Sequence, residues 1–484
     1  MTRFAMLQGP DVRRGAAART ISRRSLLRRL GAASLGAQFM PIGALTRTAH
    51  AALPPLRHPV LVHLMCVGGP DFRHLLPPAY DADPSSYGHQ FYRARAATLG
   101  VPSTPAGYAA AWNERYVHAS GPGGEFGVLR GCEWLLDFWQ QGHAGLVHNV
   151  VASTSRDHSH SQLVWESADR GLPQVGRALT GWGGRLADAA NSSVLSLTAT
   201  PRTFCFSRNS DDPGIPGTRR IVTLSNPATV GLYEPGSGAP RGARSISRAL
   251  SQYYAGLDGR VPASSPYRVF VDHEQQLRSL GSRLRPLFDA LPMPAPLAAL
   301  RHGPVALAHA DLAAQAQALY HALAVQDEID FHSISMAFGG FDTHDMQREE
   351  LEPRFRDLFG RGGALDALYR VLPPTVSERL VFMISGEFGR QLRSNGDTGT
   401  DHGQGNTVLL LGYPVRGGHY GVQFPTEELD RLDEASPDIR GRTHLDAVLA
   451  EIVEFLHPNV AGSVLPGRGS AATEPGVSLA NLFR

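Results

Sequence analysis

Six short apolar runs punctuate the chain: HPVLVHLMCV from His58, AGLVHNVV from Ala144, SVLSLTA from Ser193, DFHSISMAF from Asp330, RLVFMIS from Arg379 and NTVLLLG from Asn406. They are rich in Val, Ile, Leu and Phe and barely alternate with polar residues, the pattern of strands buried on both faces of a parallel sheet. Helical periodicity fills the gaps. LRGCEWLLDFWQQG precedes the second run, and ARSISRALSQYYAGL from Ala243 and VDHEQQLRSLGSRLRPLFDAL from Val271 follow the third. HADLAAQAQALYHALAVQDEI from His309 and REELEPRFRDLFGRGGALDALYRVL from Arg348 flank the fourth. Strands alternating with helices predict an α/β fold whose central, mostly parallel sheet is flanked by helices. The glycine- and proline-rich stretches around 76–126 and 208–242 read as excursions from that sheet, and 206–325 as an insertion into it. No internal repeat is visible.

With 484 residues, 42% of them hydrophobic and 19% charged, the composition is that of a globular protein and excludes a wholly disordered or membrane-embedded one. The length suits one large domain with insertions or two or three ordinary ones. All 46 basic residues are Arg. Without lysine there is no ammonium base or Schiff base, so an anion has to meet Arg, backbone N–H groups or a metal. No basic patch interleaved with aromatics points to nucleic acid. Cys66, Cys132 and Cys205 form no C-x-x-C pair, leaving either one disulfide with a free thiol or three unconnected buried cysteines.

The first residues read as an address. Arg23 and Arg24 follow Ser22, with Leu26, Leu27 and Arg28 after them, and 30–45 is apolar but short for a bilayer span. TAHA at 48–51 offers a small-residue cleavage point. Residues 1–51 are therefore expected to be a twin-arginine signal peptide cut after Ala51. That implies the twin-arginine export machinery as a partner, a mature chain of 52–484 without a transmembrane anchor, and a place in the bacterial periplasm or outside the cell.

Ligands of open α/β sheets gather at the carboxyl ends of the strands, and the polar clusters of this chain follow its apolar runs. GGPDFRH carries Asp71, Arg73 and His74; STSRDHSHSQ carries Thr154, Ser155, Arg156, Asp157, His158, Ser159 and His160. GGFDTH carries Asp342 and His344, GEFGR carries Glu387 and Arg390, and GTDHGQG carries Asp401 and His402. Each cluster alone reads equally well as a solvated loop, a turn cap or an ion pair. Together they bring several carboxylates and imidazoles to one edge, where the carboxylates repel one another unless a cation offsets them. The expectation is a centre for a divalent metal, zinc, calcium, manganese or magnesium, at that edge. Gly403 and Gly405 would let the backbone approach a ligand closely.

The motifs in order (twin-arginine leader, GG-x-D, an SH…W segment at Ser159, His160 and Trp165, TGW-x-GR at 180–185, GFDTH, EFGR and TDHG) resemble the exported domain-of-unknown-function 1501 family, itself similar in fold to the alkaline phosphatase and sulfatase superfamily. The resemblance implies one or two divalent metals at the strand ends, clamping a small anionic phosphate or sulfate ester while a hydroxyl or a water attacks. It places Asp71, Asp342, His344, Glu387 and His402 among the ligands, with Asp401 able to join them. Thr154, Ser155 and Ser159 are the candidate nucleophiles, and Arg390, Arg73 or Arg156 the candidate holders of the ester oxygens. Two departures stand out. Phe388 follows Glu387 where the better-known phosphatases have an Asp-His pair, and none of the cysteines lies in a sulfatase C-x-P-x-R motif. The alternative is therefore an exported binding or assembly protein that keeps the fold without hydrolysing anything; a redox enzyme is the third.

Overall fold

Val60, Val62, Leu64 and Cys66 pack into one apolar cluster, while Leu61 and Met65, the residues between them, pack into a second. Strand alternation sends successive side chains to opposite faces, so this first strand, β1 (Val60–Cys66), is buried on both. The same split recurs in the neighbouring strands: Phe382 and Leu409 join the first cluster, Val381, Met383, Val408 and Leu410 the second. The sheet is thus the middle of three layers. Helices Tyr87–Leu99, Ala310–Leu323 and Gln347–Phe359 supply the first cluster, and His158–Ser167, Trp182–Ala189 and Leu445–Leu456 the second.

These relations come from a computed structural model that describes residues 53–121, 124–170, 179–208, 216–218, 220–225, 241–262, 265, 268–302, 306–465 and 478–484. The expected signal segment 1–51 lies outside them, as do 209–215 and 226–240 of the glycine-rich stretch. After β1 the central sheet contains β2 (Ala144–Val151), β3 (Ser193–Ser196), β4 (Ile221–Thr223), β5 (Phe331–Phe338), β6 (Leu380–Ser385), β7 (Asn406–Leu411), β8 (Gly418–Tyr420) and β9 (Thr443–His444). Their spatial order is β8-β2-β7-β6-β1-β5-β3-β4, with β9 also paired to β2.

All six apolar runs become strands of this sheet. β1 pairs in parallel with both β6 and β5, with His63 opposite Met383 on one side and Ser335 on the other. Among the described strands of this sheet β7 alone runs against the rest, antiparallel to β6 and to β2. A parallel step needs a crossover to return to the starting edge. The segment 386–405 makes no crossover helix; it stays at the carboxyl edge of β6 and re-enters the sheet from there. The segment thereby brings Glu387, Asp401 and His402 to the strand ends where β1 and β5 also finish.

Two expected elements differ in detail. The long pattern after Arg348 breaks at 360–363 into Gln347–Phe359 and Ala364–Tyr369: the backbone turns extended at Gly360, with ψ of 159°, and Gly362 takes a φ of 82° in the turn between the two helices. The stretch 76–126 holds helices Tyr87–Leu99 and Pro105–Arg115 and the hairpin Tyr116–Gly121 with Gly124–Leu129. Cys66, Cys132 and Cys205 are all free and buried. No helix among the described residues is long and apolar enough to cross a membrane.

Candidate metal centre

The glycine pair after β1 sets the geometry of the edge. Gly68 has a φ of 118°, and a Cβ there would stand 2.3 Å from the backbone nitrogen of Asp342. Only glycine lets the turn after β1 abut the turn after β5 in this way. From the other side Gly399 packs equally close to the backbone of His344. Gly403 and Gly405 lie against the backbone of Arg390 and against Ile439, so their lack of a side chain serves contact between loops and not the approach of a ligand.

Asp342 and His344 sit beyond the end of β5, in a turn where Thr343 points inward and is buried. His344 Nε2 comes 3.1 Å from Asp342 Oδ1. His402 Nε2 is 2.9 Å from the same oxygen and 2.9 Å from His344 Nε2. On the other carboxylate oxygen, His158 Nε2 lies 3.1 Å from Asp342 Oδ2. Ligand atoms of His158, Asp342 and His402 all fall within 4.8 Å of one another. Each imidazole is oriented from behind. His402 Nδ1 is 2.8 Å from the carbonyl of Arg156, which can only accept, so Nδ1 carries the proton. His344 Nδ1 faces Asp401 Oδ1 at 3.0 Å, and His158 Nδ1 faces Glu387 Oε1 at 2.8 Å.

Those tautomers leave the Nε2 lone pairs of His344 and His402 aimed at each other and at a carboxylate. Burial holds the His402 pKa below the ordinary imidazole value despite its contact with Asp342. Three Lewis-basic atoms at 2.9–3.1 Å repel unless something positive, a proton or a cation, stands between them. Asp342 itself is a carboxylate: burial raises its pKa, but the hydrogen bond and the charge of Arg390 outweigh that and hold it far below the usual range. Asp342 and His344 are 42% and 43% exposed at their side chains, so the cluster is open to solvent on one side. Imidazole nitrogens with one carboxylate, each backed by a carbonyl or carboxylate, form a group that could hold a metal ion.

Residues 270–431 match the family described as "Protein of unknown function (DUF1501)". The match supports the resemblance on the segment that carries Asp342, His344, Glu387, Arg390, Asp401 and His402; Asp71 and His158 lie outside the matched segment. No curated protein matches the chain.

The remaining candidates have other surroundings. Glu387, 1% exposed, accepts from Gly68 N at 2.9 Å, Gly69 N at 3.2 Å and Gln162 Nε2 at 3.1 Å as well as from His158. It stands behind His158, and Asp401 stands behind His344. Asp71 caps the short helix Phe72–Leu75, where it pairs with buried Arg95 and accepts from Gln347 Nε2 at 2.9 Å. Arg390 is buried and donates to the carbonyls of Gly68, Gly69, Phe341 and Thr400 and to Asp342 Oδ1 at 2.8 Å. It anchors Asp342 rather than reaching solvent. Arg73 is buried on Glu428, whereas Arg156 is 38% exposed beside Asp438. Ser155 Oγ accepts from Asp157 N at 3.1 Å, and Thr154 and Ser159 are exposed.

His158 is the cluster member that sequence reasoning passed over in favour of its neighbours. A signal for it exists: Asp157 caps helix His158–Ser167 by accepting from His160 N at 2.8 Å. That cap places residue 158 at the first helical position, directly after β2, facing the strand ends. Phe388 lies against the His402 and His158 rings at 4.4 and 4.9 Å between centroids and gives the cluster an apolar floor.

Proposed function

We propose that this chain is an exported, metal-dependent hydrolase acting on phosphate or sulfate esters, built on an alkaline phosphatase-like fold. The observation that carries the reading is the convergence of His344 Nε2, His402 Nε2 and Asp342 Oδ1, each 2.9–3.1 Å from the others. In this reading Asp342, His344 and His402 hold the cation, and His158 completes the set on the second oxygen of Asp342. Glu387, Asp401 and the carbonyl of Arg156 fix the three tautomers, and Arg390 fixes the carboxylate. A bound divalent cation would supply Lewis-acid polarisation of an ester oxygen and acidify a water. Arg156, half-exposed and close to the cluster through its carbonyl, is the guanidinium best placed to meet the ester's anionic oxygens. Among the described residues, Thr154, Ser155 and Ser159 form no hydrogen bond to the cluster, so water is the preferred attacking group.

That last observation also favours the second reading, in which the protein binds a metal or an ester without hydrolysing it. The experiment is elemental analysis of the purified mature protein beside an Asp342→Ala, His402→Ala double variant, followed by assay of both on p-nitrophenyl phosphate and p-nitrophenyl sulfate. Stoichiometric metal and turnover in the parent, both lost in the variant, are expected. Metal without turnover transfers the assignment to the binding reading; no metal after supply of zinc, manganese, calcium and magnesium removes the metallohydrolase reading and leaves the binding one.

A further inference from the structure

A second polar site lies at the same edge of the sheet but away from the Asp342 cluster. Val151 and His444 are register partners at the carboxyl ends of the parallel strands β2 and β9, and beyond them opens a cavity of about 440 Å³. Its wall includes Ser153, Thr154, Ser155, His160, Arg170 and His444. None of Asp342, His344, His402 or His158 lines it. The volume falls within the range of small-molecule pockets, roughly 300–1,000 Å³, and the carboxyl ends of parallel strands are where open α/β sheets take their ligands.

The polar groups on this wall are donors. Ser153 Oγ already accepts from Ser155 N at 3.0 Å, and Ser155 Oγ from Asp157 N at 3.1 Å, so each hydroxyl keeps its proton to give. Arg170 is fixed by Asp446, 3.0 Å away and buried behind it, and by His444 Nδ1 at 2.8 Å. A guanidinium only donates, so His444 Nδ1 is the acceptor and its Nε2 bears the hydrogen. Burial and the nearby Arg170 hold His444 below the ordinary imidazole pKa, consistent with a neutral ring in that tautomer. Among the described residues no carboxylate lines the cavity.

We infer that this cavity binds a small oxyanion, a phosphate, sulfate or carboxylate group, received by the Ser153 and Ser155 hydroxyls, the His444 Nε2–H and the positive charge of Arg170. Two of the hydroxyl residues that the sequence offered as nucleophiles, Thr154 and Ser155, then serve recognition at a site distinct from the metal cluster. The loop that carries them also carries His158, so the two sites share one segment.

Calorimetric titration of the intact mature protein with inorganic phosphate, sulfate and citrate, in parent, Thr154→Trp and His160→Ala forms, tests the inference. Thr154 is exposed, so the indole fills the cavity without entering the core. Saturable binding of at least one probe is expected in the parent, weakened about tenfold or more in Thr154→Trp, with metal content by elemental analysis equal in both. The ranking of the three probes identifies the class of anion. Binding equal in parent and both variants, or no binding of any probe, overturns the inference. Binding that disappears on chelation of the metal and is indifferent to Thr154→Trp places the anion at the Asp342 cluster, which overturns this site while supporting the proposed function.

Discussion

The Nδ1 of His158 and Oε1 of Glu387 are 2.8 Å apart, and the same carboxylate is held by the amides of Gly68 and Gly69. A carboxylate so anchored dictates which nitrogen of the imidazole is protonated and turns the other toward Asp342. Its pKa stays below the ordinary value: burial raises it, but the hydrogen bond from His158, with others from Gln162 and Gly68, prevails. Glu387→Gln keeps the shape and removes the charge. Metal affinity, measured by competition with a chromophoric chelator, should fall roughly 10–100-fold. Unchanged affinity would remove Glu387 from the support of the site.

Arg390 joins three segments that are far apart in sequence. Replacing it with Ala strands the carbonyls of Gly68, Phe341 and Thr400 and leaves Asp342 without its buried partner. A loss of about 3–5 kcal/mol is expected from urea unfolding. Arg390→Lys should recover little of it, since three donors on one ammonium cannot span those acceptors. A loss below about 1 kcal/mol, the scale of an exposed ion pair, would contradict this role.

Gly68→Ala places a methyl 2.3 Å from Asp342 N at a φ of 118°. The strain and the displaced turn should cost about 1–3 kcal/mol and reduce bound metal, read together by thermal unfolding and elemental analysis. Full metal occupancy at parental stability would show that the two turns are not coupled.

His63 lies in β1 against the Trp182 and Phe204 rings, and burial, aided by Arg202, lowers its pKa from 6.5 to about 3. The unfolded chain therefore binds a proton at this residue between pH 6.5 and about 3 that the folded chain does not. Stability supplied by the neutral ring is complete above 6.5 and is lost as the pH falls through that window, by up to about 1.4 kcal/mol per pH unit. His63→Leu should flatten the dependence of the unfolding free energy on pH between 6 and 4. An unaltered slope would mean that the ring is protonated in the fold.

A metal that binds only the folded chain stabilises it by mass action. Chelation of the purified protein should lower the melting temperature, and one of zinc, manganese, calcium or magnesium should restore it. The Asp342→Ala, His402→Ala variant should melt at the same temperature with and without chelator; a shift in the variant equal to that of the parent would place the metal elsewhere.

Apolar runs and helical periods were enough to read the α/β class and six strands of the sheet, because strands buried on both faces need near-continuous apolar sequence and that signal is local. The short edge strands Ile221–Thr223, Gly418–Tyr420 and Thr443–His444 carry too few residues to show a period. Likewise, the residue types of the site were legible one loop at a time: Asp342, His344 and His402 sit where strand-end chemistry predicts them. Their ranking was not. Whether a carboxylate faces the cluster, like Asp342, or stands behind an imidazole, like Glu387, depends on which backbone amides reach it, and those come from a turn more than 300 residues away.

By itself the sequence determined the layers, the polarity of the strand ends and the absence of any lysine to meet an anion. Tertiary structure alone decided that 386–405 returns along the edge it left, so that β7 runs antiparallel and His402 meets His344. It also decided that Thr154 and Ser155 line a separate cavity, and that Arg390 faces inward. Each of these outcomes rests on contacts between distant segments, which glycines such as Gly68 and Gly399 allow but no local pattern specifies.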